Sequence, residues 1–154
     1  MGRKETDSAT PAAIAAAPAH YALDEQIGFL LRIALQRHTA LFTARMSGGL
    51  TQTQFAALAK LHEVGACSQN QLGRLIYLDA ATIKGVVDRL RAHGFVTALN
   101  DPKDRRRRAV ALTERGCEVT EAAMLVAAGI TAATLTPLTA EERQQLAMLL
   151  KKLG

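Results

Sequence analysis

Apolar residues between Ala22 and Ser47 recur at spacings of three and four positions, which is the period of one face of an α-helix. The members of this stripe are Leu23, Ile27, Leu30, Leu31, Ala34, His38, Leu41 and Phe42. The spacing predicts one long amphipathic helix, and the glycine pair Gly48 and Gly49 ends it.

Two shorter helices are predicted next, each opened by a residue that can cap it. Thr51 precedes a helix that ends at Gly65, with an inward face formed by Phe55, Leu58, Ala59 and Leu61. Ser68 then caps a third, short helix whose predicted buried face is Leu72, Leu75 and Ile76.

A fourth helix follows after a tight connection through Tyr77 and Leu78. Asp79 is its predicted cap and Gly94 its end, and its buried stripe comprises Ile83, Val86, Val87 and Leu90. Two short helices joined by a turn of three or four residues are the outline of a helix-turn-helix, whose second helix enters the major groove of DNA.

The opposite face of the fourth helix carries Ala80, Ala81, Thr82, Lys84, Gly85, Asp88 and Arg89. Small residues at a helix N-terminus let the backbone approach base edges, and Lys84 can bind a phosphate or a guanine. The candidate DNA contacts on these two helices are Ser68, Gln69, Gln71, Ala80, Ala81, Thr82, Lys84, Gly85 and Arg89. The alternative is a plain solvated face of an all-α domain.

A β-hairpin is predicted from Phe95–Leu99 and Arg108–Leu112, two short apolar runs separated by the turn-forming NDPKDRRR. Its tip adds Asp104, Arg105, Arg106 and Arg107 to the candidate DNA contacts. As a wing beside a recognition helix, the hairpin would insert its guanidinium groups into the adjacent minor groove, with Asp104 orienting Arg106. The alternative is a solvated hairpin in which the carboxylates offset the arginine charges.

The C-terminal part of the chain predicts two more helices. The first begins after Thr113 and runs to about Thr134, with apolar residues on more than one side: Val119, Ala122, Ala123, Leu125, Val126 and Ile130. The last helix is opened by a capping box of Thr139 and Glu142, and its apolar residues are Leu146, Leu149, Leu150 and Leu153. A helix that is apolar on two sides needs two partners, so a homodimer is predicted.

Together these elements predict a mainly α fold with a small β-hairpin wing, that is, a winged helix-turn-helix on a helical dimerisation base. The chain of 154 residues, 49% of them hydrophobic, is long enough for one domain with a core. Residues 1–20 are expected to form a flexible arm and residues 21–154 a single domain, with the winged helix-turn-helix over about 51–112 and the dimerisation helices over about 22–47 and 113–153.

Charge and composition reduce the number of candidate functions. The net charge of +5 favours a polyanionic partner, and no apolar run of about 20 residues suggests a membrane span, so we expect a cytoplasmic protein. The histidines and the two cysteines, Cys67 and Cys117, lack the spacing of metal ligands, so neither a metal nor a cofactor is predicted. No catalytic motif is present either, which makes an enzyme built on helices the less favoured alternative.

The segment DPKDRRRRAVALTERG resembles the wing pattern of the MarR family of bacterial winged-helix transcriptional regulators, at Asp104, Arg106, Leu112, Thr113 and Gly116. TIKGVVDRLRAHGFV resembles the recognition helix of that family, and GLTQTQFAALAKL resembles the helix before the helix-turn-helix. The resemblance covers roughly Leu23 to Leu153. It implies a symmetric dimer on a pseudo-palindromic operator, and repression that a ligand relieves.

The resemblance also implies an effector, because members of the family commonly bind anionic aromatic compounds. Arg32, Arg37 and His38 are the candidate ligand contacts, and a phenolic acid or its coenzyme A thioester is the expected effector class. The alternative is that these residues form ordinary salt links on the surface of the first helix. A second hypothesis is a thiol switch at Cys67 or Cys117, against the alternative that these cysteines are simply buried.

Overall fold

The computed structural model describes residues 20–100 and 108–154. Within these residues the chain forms six α-helices and three short strands. In chain order they are α1 (Ile27–Arg45), α2 (Gln52–Val64), β1 (Cys67–Ser68), α3 (Gln69–Leu75), α4 (Ala80–Ala92), β2 (Val96–Asn100), β3 (Arg108–Leu112), α5 (Glu114–Thr134) and α6 (Ala140–Leu153). The predicted mainly α winged helix-turn-helix fold is confirmed. Apart from His20, the predicted arm lies outside the described residues.

The predicted start of the first helix was wrong. Leu23–Glu25 form a separate 3-10 turn, and Gln26 has an extended backbone (φ −79°, ψ 126°), so α1 begins only at Ile27. The Gln26 side chain donates from Nε2 to the carbonyl oxygen of Ala22 at 3.1 Å. This local hydrogen bond stabilises the non-helical backbone at Gln26, although the apolar spacing favours a continuous helix from Ala22.

Threonine and serine caps set the helix starts that the sequence predicted. Thr51 accepts a hydrogen bond from the backbone N–H of Gln54, and the Gln54 side chain accepts one from the N–H of Thr51, which completes a capping box. Thr139 and Glu142 form the same arrangement at the start of α6. Each box satisfies N–H groups that the first helical turn leaves without a partner, so α2 and α6 begin where expected.

The sheet has the strand order β1-β3-β2, and both pairings are antiparallel. Val96 pairs with Leu112 and Asn100 with Arg108, so β2 and β3 form the predicted hairpin. The sequence did not predict β1, whose Cys67 pairs with Val110. This third strand ties the start of α3 to the wing.

The core lies between α2, α3, α4, the sheet and one side of α5. Its fully buried side chains include Leu58, Leu72, Ile83, Val87, Leu90 and Ile130. Leu75 was predicted to be buried in α3, but 38% of its surface is exposed. Within α3, Leu72 and Gly73 are buried, and Ile76, directly after the helix, is half-buried against the core as predicted.

Helix α5 links the two halves of the molecule, packing against α1 and α2 along its length and against β3 at its start. By length and composition alone it could also cross a membrane, the one such helix among the described residues. It carries Glu114, Arg115, Glu118 and Glu121 in its first turns. Those charges, which a membrane-spanning helix would have to bury in lipid, and the packing against α1, α2 and β3 favour a helix of the folded domain.

Candidate nucleic-acid interface

Helices α3 and α4 pack closely at Gly73, where any larger residue would push its neighbours apart. A Cβ at Gly73 would lie 3.1 Å from Cγ2 of Ile83 and 3.1 Å from the carbonyl oxygen of Leu78. The connection spans residues 76–79, and Tyr77 within it has a left-handed backbone (φ +57°) and a side chain that is 87% exposed. The two helices therefore form the compact helix-turn-helix that the sequence predicted.

Asp79 caps α4 with both carboxylate oxygens. Oδ1 accepts from the backbone N–H of Thr82 at 2.8 Å, and Oδ2 accepts from the Thr82 hydroxyl at 2.7 Å. These hydrogen bonds from Thr82 lower the pKa of Asp79 from its ordinary value. Because the Thr82 hydroxyl proton is donated to Asp79, Thr82 can offer a DNA partner only its methyl group and the lone pairs of its oxygen.

The residues of α4 divide cleanly between the core and solvent. Ile83, Val86, Val87 and Leu90 are buried. On the outer side, Ala80, Ala81, Thr82, Lys84 and Arg89 are exposed and Gly85 is half-buried. The face predicted to meet DNA is therefore available along the whole length of the helix.

Three charged side chains form a cluster on that exposed face. The Nζ atom of Lys84 lies 2.7 Å from Oδ2 of Asp88, and Nη1 of Arg91 lies 3.4 Å from Oδ1 of the same carboxylate. The hydrogen bond from Lys84 lowers the pKa of Asp88. Asp88 was predicted to lie on this face but not to have a role, although its spacing of four from Lys84 and three from Arg91 is the signal of such ion pairs.

The candidates on α3 lie at its N-terminus. Ser68 Oγ accepts from the backbone N–H of Gln71 at 3.2 Å and so caps the helix. Ser68 and Gln69 are half-buried, and Gln71 is exposed. The structure thus collects nine of the predicted DNA contacts on two adjoining helices.

The wing strands adjoin this unit. The hairpin pairs up to Asn100 and Arg108, and the connecting residues 101–107 lie outside the described part of the chain. The remaining predicted DNA contacts, Asp104, Arg105, Arg106 and Arg107, fall in that segment.

A cavity of about 210 Å³ lies between α1, α2 and α5, with one histidine at its edge. His38 Nδ1 lies 2.9 Å from Oγ1 of Thr134, and that hydroxyl donates to the carbonyl oxygen of Ile130 at 2.9 Å. Since the threonine proton is used, the His38 tautomer that satisfies this contact has its proton on Nδ1, which leaves Nε2 as an acceptor. Phe42 and Phe55, with ring centroids 6.1 Å apart, form an aromatic wall of the same cavity.

The other two predicted ligand contacts do not line this cavity within one chain. Arg32 places its guanidinium carbon 5.0 Å from the ring centroid of Phe29, and it borders a shallow depression with Leu35, Gln36 and Thr39. Arg37 is exposed on α1. Of the three predicted ligand contacts, His38 is therefore the one that lines this cavity within a single chain.

The positions of the cysteines give the thiol-switch hypothesis no support. Cys67 is buried in β1, and burial raises the pKa of its thiol. A raised pKa leaves less of the reactive thiolate at neutral pH. Cys117 is half-buried in α5. Within residues 20–100 and 108–154, no three His, Cys, Asp or Glu side chains are grouped to hold a metal ion.

The fold and this surface define a winged helix-turn-helix protein: a capped recognition helix, a tight turn before it and a three-stranded wing sheet beside it. A family model described as the MarR family matches residues 50–107. The chain is 39% identical to the HTH-type transcriptional repressor NicR of Pseudomonas putida, over 99% of this chain and 95% of NicR.

Two solved structures extend the comparison. A probable transcriptional regulator from Pseudomonas aeruginosa superposes with a TM-score of 0.83 and 49% identity, over 86% of this chain and 100% of that one. Bordetella bronchiseptica BpsR, whose DNA binding is regulated by 6-hydroxynicotinic acid, superposes with a TM-score of 0.82 and 38% identity, over 87% of this chain and 96% of BpsR. The chain belongs to the MarR family of transcriptional regulators.

Proposed function

We propose that this protein is a homodimeric repressor that binds a pseudo-palindromic operator and is released from it by a small hydroxylated aromatic acid. The observation that carries the proposal is the exposed face of α4, which combines small residues with cations and lies beside the wing. NicR is named a repressor, and the DNA binding of BpsR responds to an aromatic acid. The two relatives support repression and release by an aromatic acid for this chain as well.

The DNA contacts divide by chemistry. Ala80, Ala81, Thr82 and Gly85 are small enough for the start of α4 to approach base edges in the major groove. Ser68, Gln69, Gln71, Lys84 and Arg89 are the polar and charged contacts of α3 and α4, of which the cations suit phosphates. For Asp104, Arg105, Arg106 and Arg107 the proposal rests on the sequence alone, which favours a minor-groove contact.

A second copy of the chain is proposed to cover the apolar faces of α1 and α6. Leu30 and Leu31 on α1 are each at least 44% exposed, and Leu149 and Leu153 on α6 are 52% and 72% exposed. An apolar groove of about 470 Å³ runs between α1, α5 and α6 beside these residues. Contiguous exposed apolar surface of this kind is typical of a protein interface, and two-fold symmetry would give the operator two half-sites.

The cavity beside His38 suits a flat ring with a hydroxyl group. The rings of Phe42 and Phe55 can pack on an aromatic ligand, while Nε2 of His38 can accept a hydrogen bond from its hydroxyl. Arg32 and Arg37 remain proposed partners for the carboxylate on the basis of sequence, since neither lines the cavity within one chain.

The test of DNA binding is footprinting of purified protein on the region upstream of its own gene. We expect a protected, pseudo-palindromic site and a complex that contains two copies of the chain. Binding that shows no sequence preference, or a complex with a single copy, would contradict the proposal.

The test of the effector is a screen of small aromatic acids, with and without a ring hydroxyl, for release of the bound operator. A hydroxylated acid should release the wild-type protein, and His38→Ala should keep its operator affinity while losing the response. The matched control is His62→Ala, because His62 lies on the exposed side of α2 next to Glu121. Equal responses of the two variants would remove His38 from the ligand site.

A further inference from the structure

Asp88 occupies the centre of the surface that α4 offers to DNA. Helical periodicity places Ala81, Gly85, Asp88 and Ala92 along one line, opposite the buried stripe of the helix. Ala81, Gly85 and Ala92 carry no polar side-chain atom. Asp88 is therefore the residue on this line that can form a hydrogen bond, and it is the single carboxylate of Ala80–Ala92.

The carboxylate is charged and held in place. Its two oxygens lie 2.7 Å from Lys84 Nζ and 3.4 Å from Arg91 Nη1, and the side chain of Asp88 remains 45% exposed. Each oxygen keeps a lone pair for a further donor. Both cations border the line on the same side of the helix, where their ion pairs with Asp88 restrict their positions.

A charged carboxylate in the major groove discriminates strongly between bases. Guanine offers the acceptors N7 and O6, thymine offers O4, and adenine offers the acceptor N7 beside its amine, so each brings oxygen or nitrogen lone pairs towards the carboxylate. Cytosine offers only the N4 amine as a hydrogen-bonding group on that edge. DNA phosphates also repel the carboxylate wherever the protein binds without base contacts.

We propose that Asp88 is a specificity-determining residue, which accepts a hydrogen bond from a cytosine amine in the operator and weakens binding to all other DNA. The inference depends on the proposed function, since it assumes that α4 enters the major groove. It assigns to Asp88 two effects that a merely stabilising surface ion pair lacks. One is a preference for a particular base, and the other is a penalty on non-specific binding.

The experiment compares Asp88→Asn with wild type on the footprinted operator and on an unrelated duplex of equal length, by fluorescence anisotropy at one salt concentration. We expect Asp88→Asn to bind the unrelated duplex more tightly and the operator no more tightly, so that the ratio of the two affinities falls by about tenfold. Replacing the contacted C·G pair should weaken the wild type but leave Asp88→Ala, whose side chain has no hydrogen-bond acceptor, unchanged.

The matched control is Glu63→Gln, which removes the same charge from an exposed ion pair on α2, where Lys60 Nζ lies 2.6 Å from Glu63. It should leave the affinity ratio at the wild-type value. An unchanged ratio for Asp88→Asn, or an equal loss of affinity for both duplexes, overturns the inference while leaving the proposed function intact. A wild type that does not distinguish the two duplexes overturns both.

Discussion

Gly116 shows how one residue can decide a junction in this fold. A Cβ at this position would lie 1.9 Å from the carbonyl oxygen of Phe95. The same carbonyl accepts the backbone N–H of Thr113 at 3.0 Å, and the Thr113 hydroxyl donates to the carbonyl oxygen of Gly94 at 2.7 Å. The start of α5 is thus held against the segment that leads from α4 into the wing.

Replacing Gly116 with alanine should therefore destabilise the protein by about 3 kcal/mol or more, because the backbone of Phe95 must move away from its partners. Urea denaturation followed by circular dichroism measures the change. Gly129→Ala is the control on the same helix, since nothing lies within 4 Å of a Cβ there. That variant should be as stable as wild type or more stable by up to about 1 kcal/mol. Equal effects at the two positions would show that the close approach to Phe95 is relaxed in solution.

At the scale of single elements, the recognition helix depends on its cap. Asp79 accepts two hydrogen bonds from Thr82, and they lower its pKa. A carboxylate with a lowered pKa in the folded state stabilises the protein fully above its ordinary pKa. This contribution is lost as the pH falls through the lowered value.

Asp79→Ala should reduce the free energy of unfolding at neutral pH, and its difference from wild type should shrink as the pH falls below the ordinary pKa of aspartate. Measuring urea denaturation at a series of acidic pH values tests this. Asp79→Asn retains an acceptor for the cap without a titrating charge, so its stability should change less over that range. A difference between Asp79→Ala and wild type that is independent of pH would argue against a charged cap.

For the wing, the proposed DNA contact is inferred from the arginines in its sequence. Strands β2 and β3 pair through Asn100 and Arg108, which brings the ends of the arginine-bearing segment together. Arg106→Ala should weaken operator binding by about 1–3 kcal/mol if its guanidinium reads a narrow minor groove.

Electrophoretic mobility shift at fixed salt provides the measurement. Arg45→Ala removes the same charge from the end of α1, where the guanidinium approaches the carbonyl oxygen of Gly129, and it should have a much smaller effect. If the two variants bind the operator equally well, the wing arginines act through net charge alone.

At the scale of the whole molecule, the exposed apolar faces of α1 and α6 are the feature that a single chain leaves unexplained. Within a single chain these faces remain exposed, while the winged helix-turn-helix has a continuous buried core. Burial of α1 and α6 against a second copy would explain why a polar surface is absent there. It would also set the distance between the two recognition helices.

Leu150→Glu is expected to dissociate the proposed dimer, because Leu150 lines the apolar groove. Burying a carboxylate without a partner there would cost roughly several kcal/mol. Sedimentation equilibrium should show monomers, and operator affinity should fall with the loss of the second half-site. Gln145→Glu introduces the same charge at an exposed polar position of α6 and should remain dimeric. A Leu150→Glu protein that stays dimeric would place the interface elsewhere.

Signals between near neighbours in the chain were enough to predict much of this protein. Thr51 with Gln54, Asp79 with Thr82, and Thr139 with Glu142 each act across three residues, so the capped helix starts could be inferred without the fold. The turn between α3 and α4 and the β2–β3 hairpin are similarly local. These features also carry the resemblance from which the regulator function was inferred.

Contacts between distant residues were decided by the tertiary structure. The pairing of Cys67 with Val110, and the hydrogen bond from His38 to Thr134, join residues far apart in sequence. A sequence pattern can indicate that Leu75 or Leu150 is apolar, yet its burial depends on which surface packs against it. Local hydrogen bonds are determined by spacing along the chain, whereas burial and cavities depend on how the elements pack together.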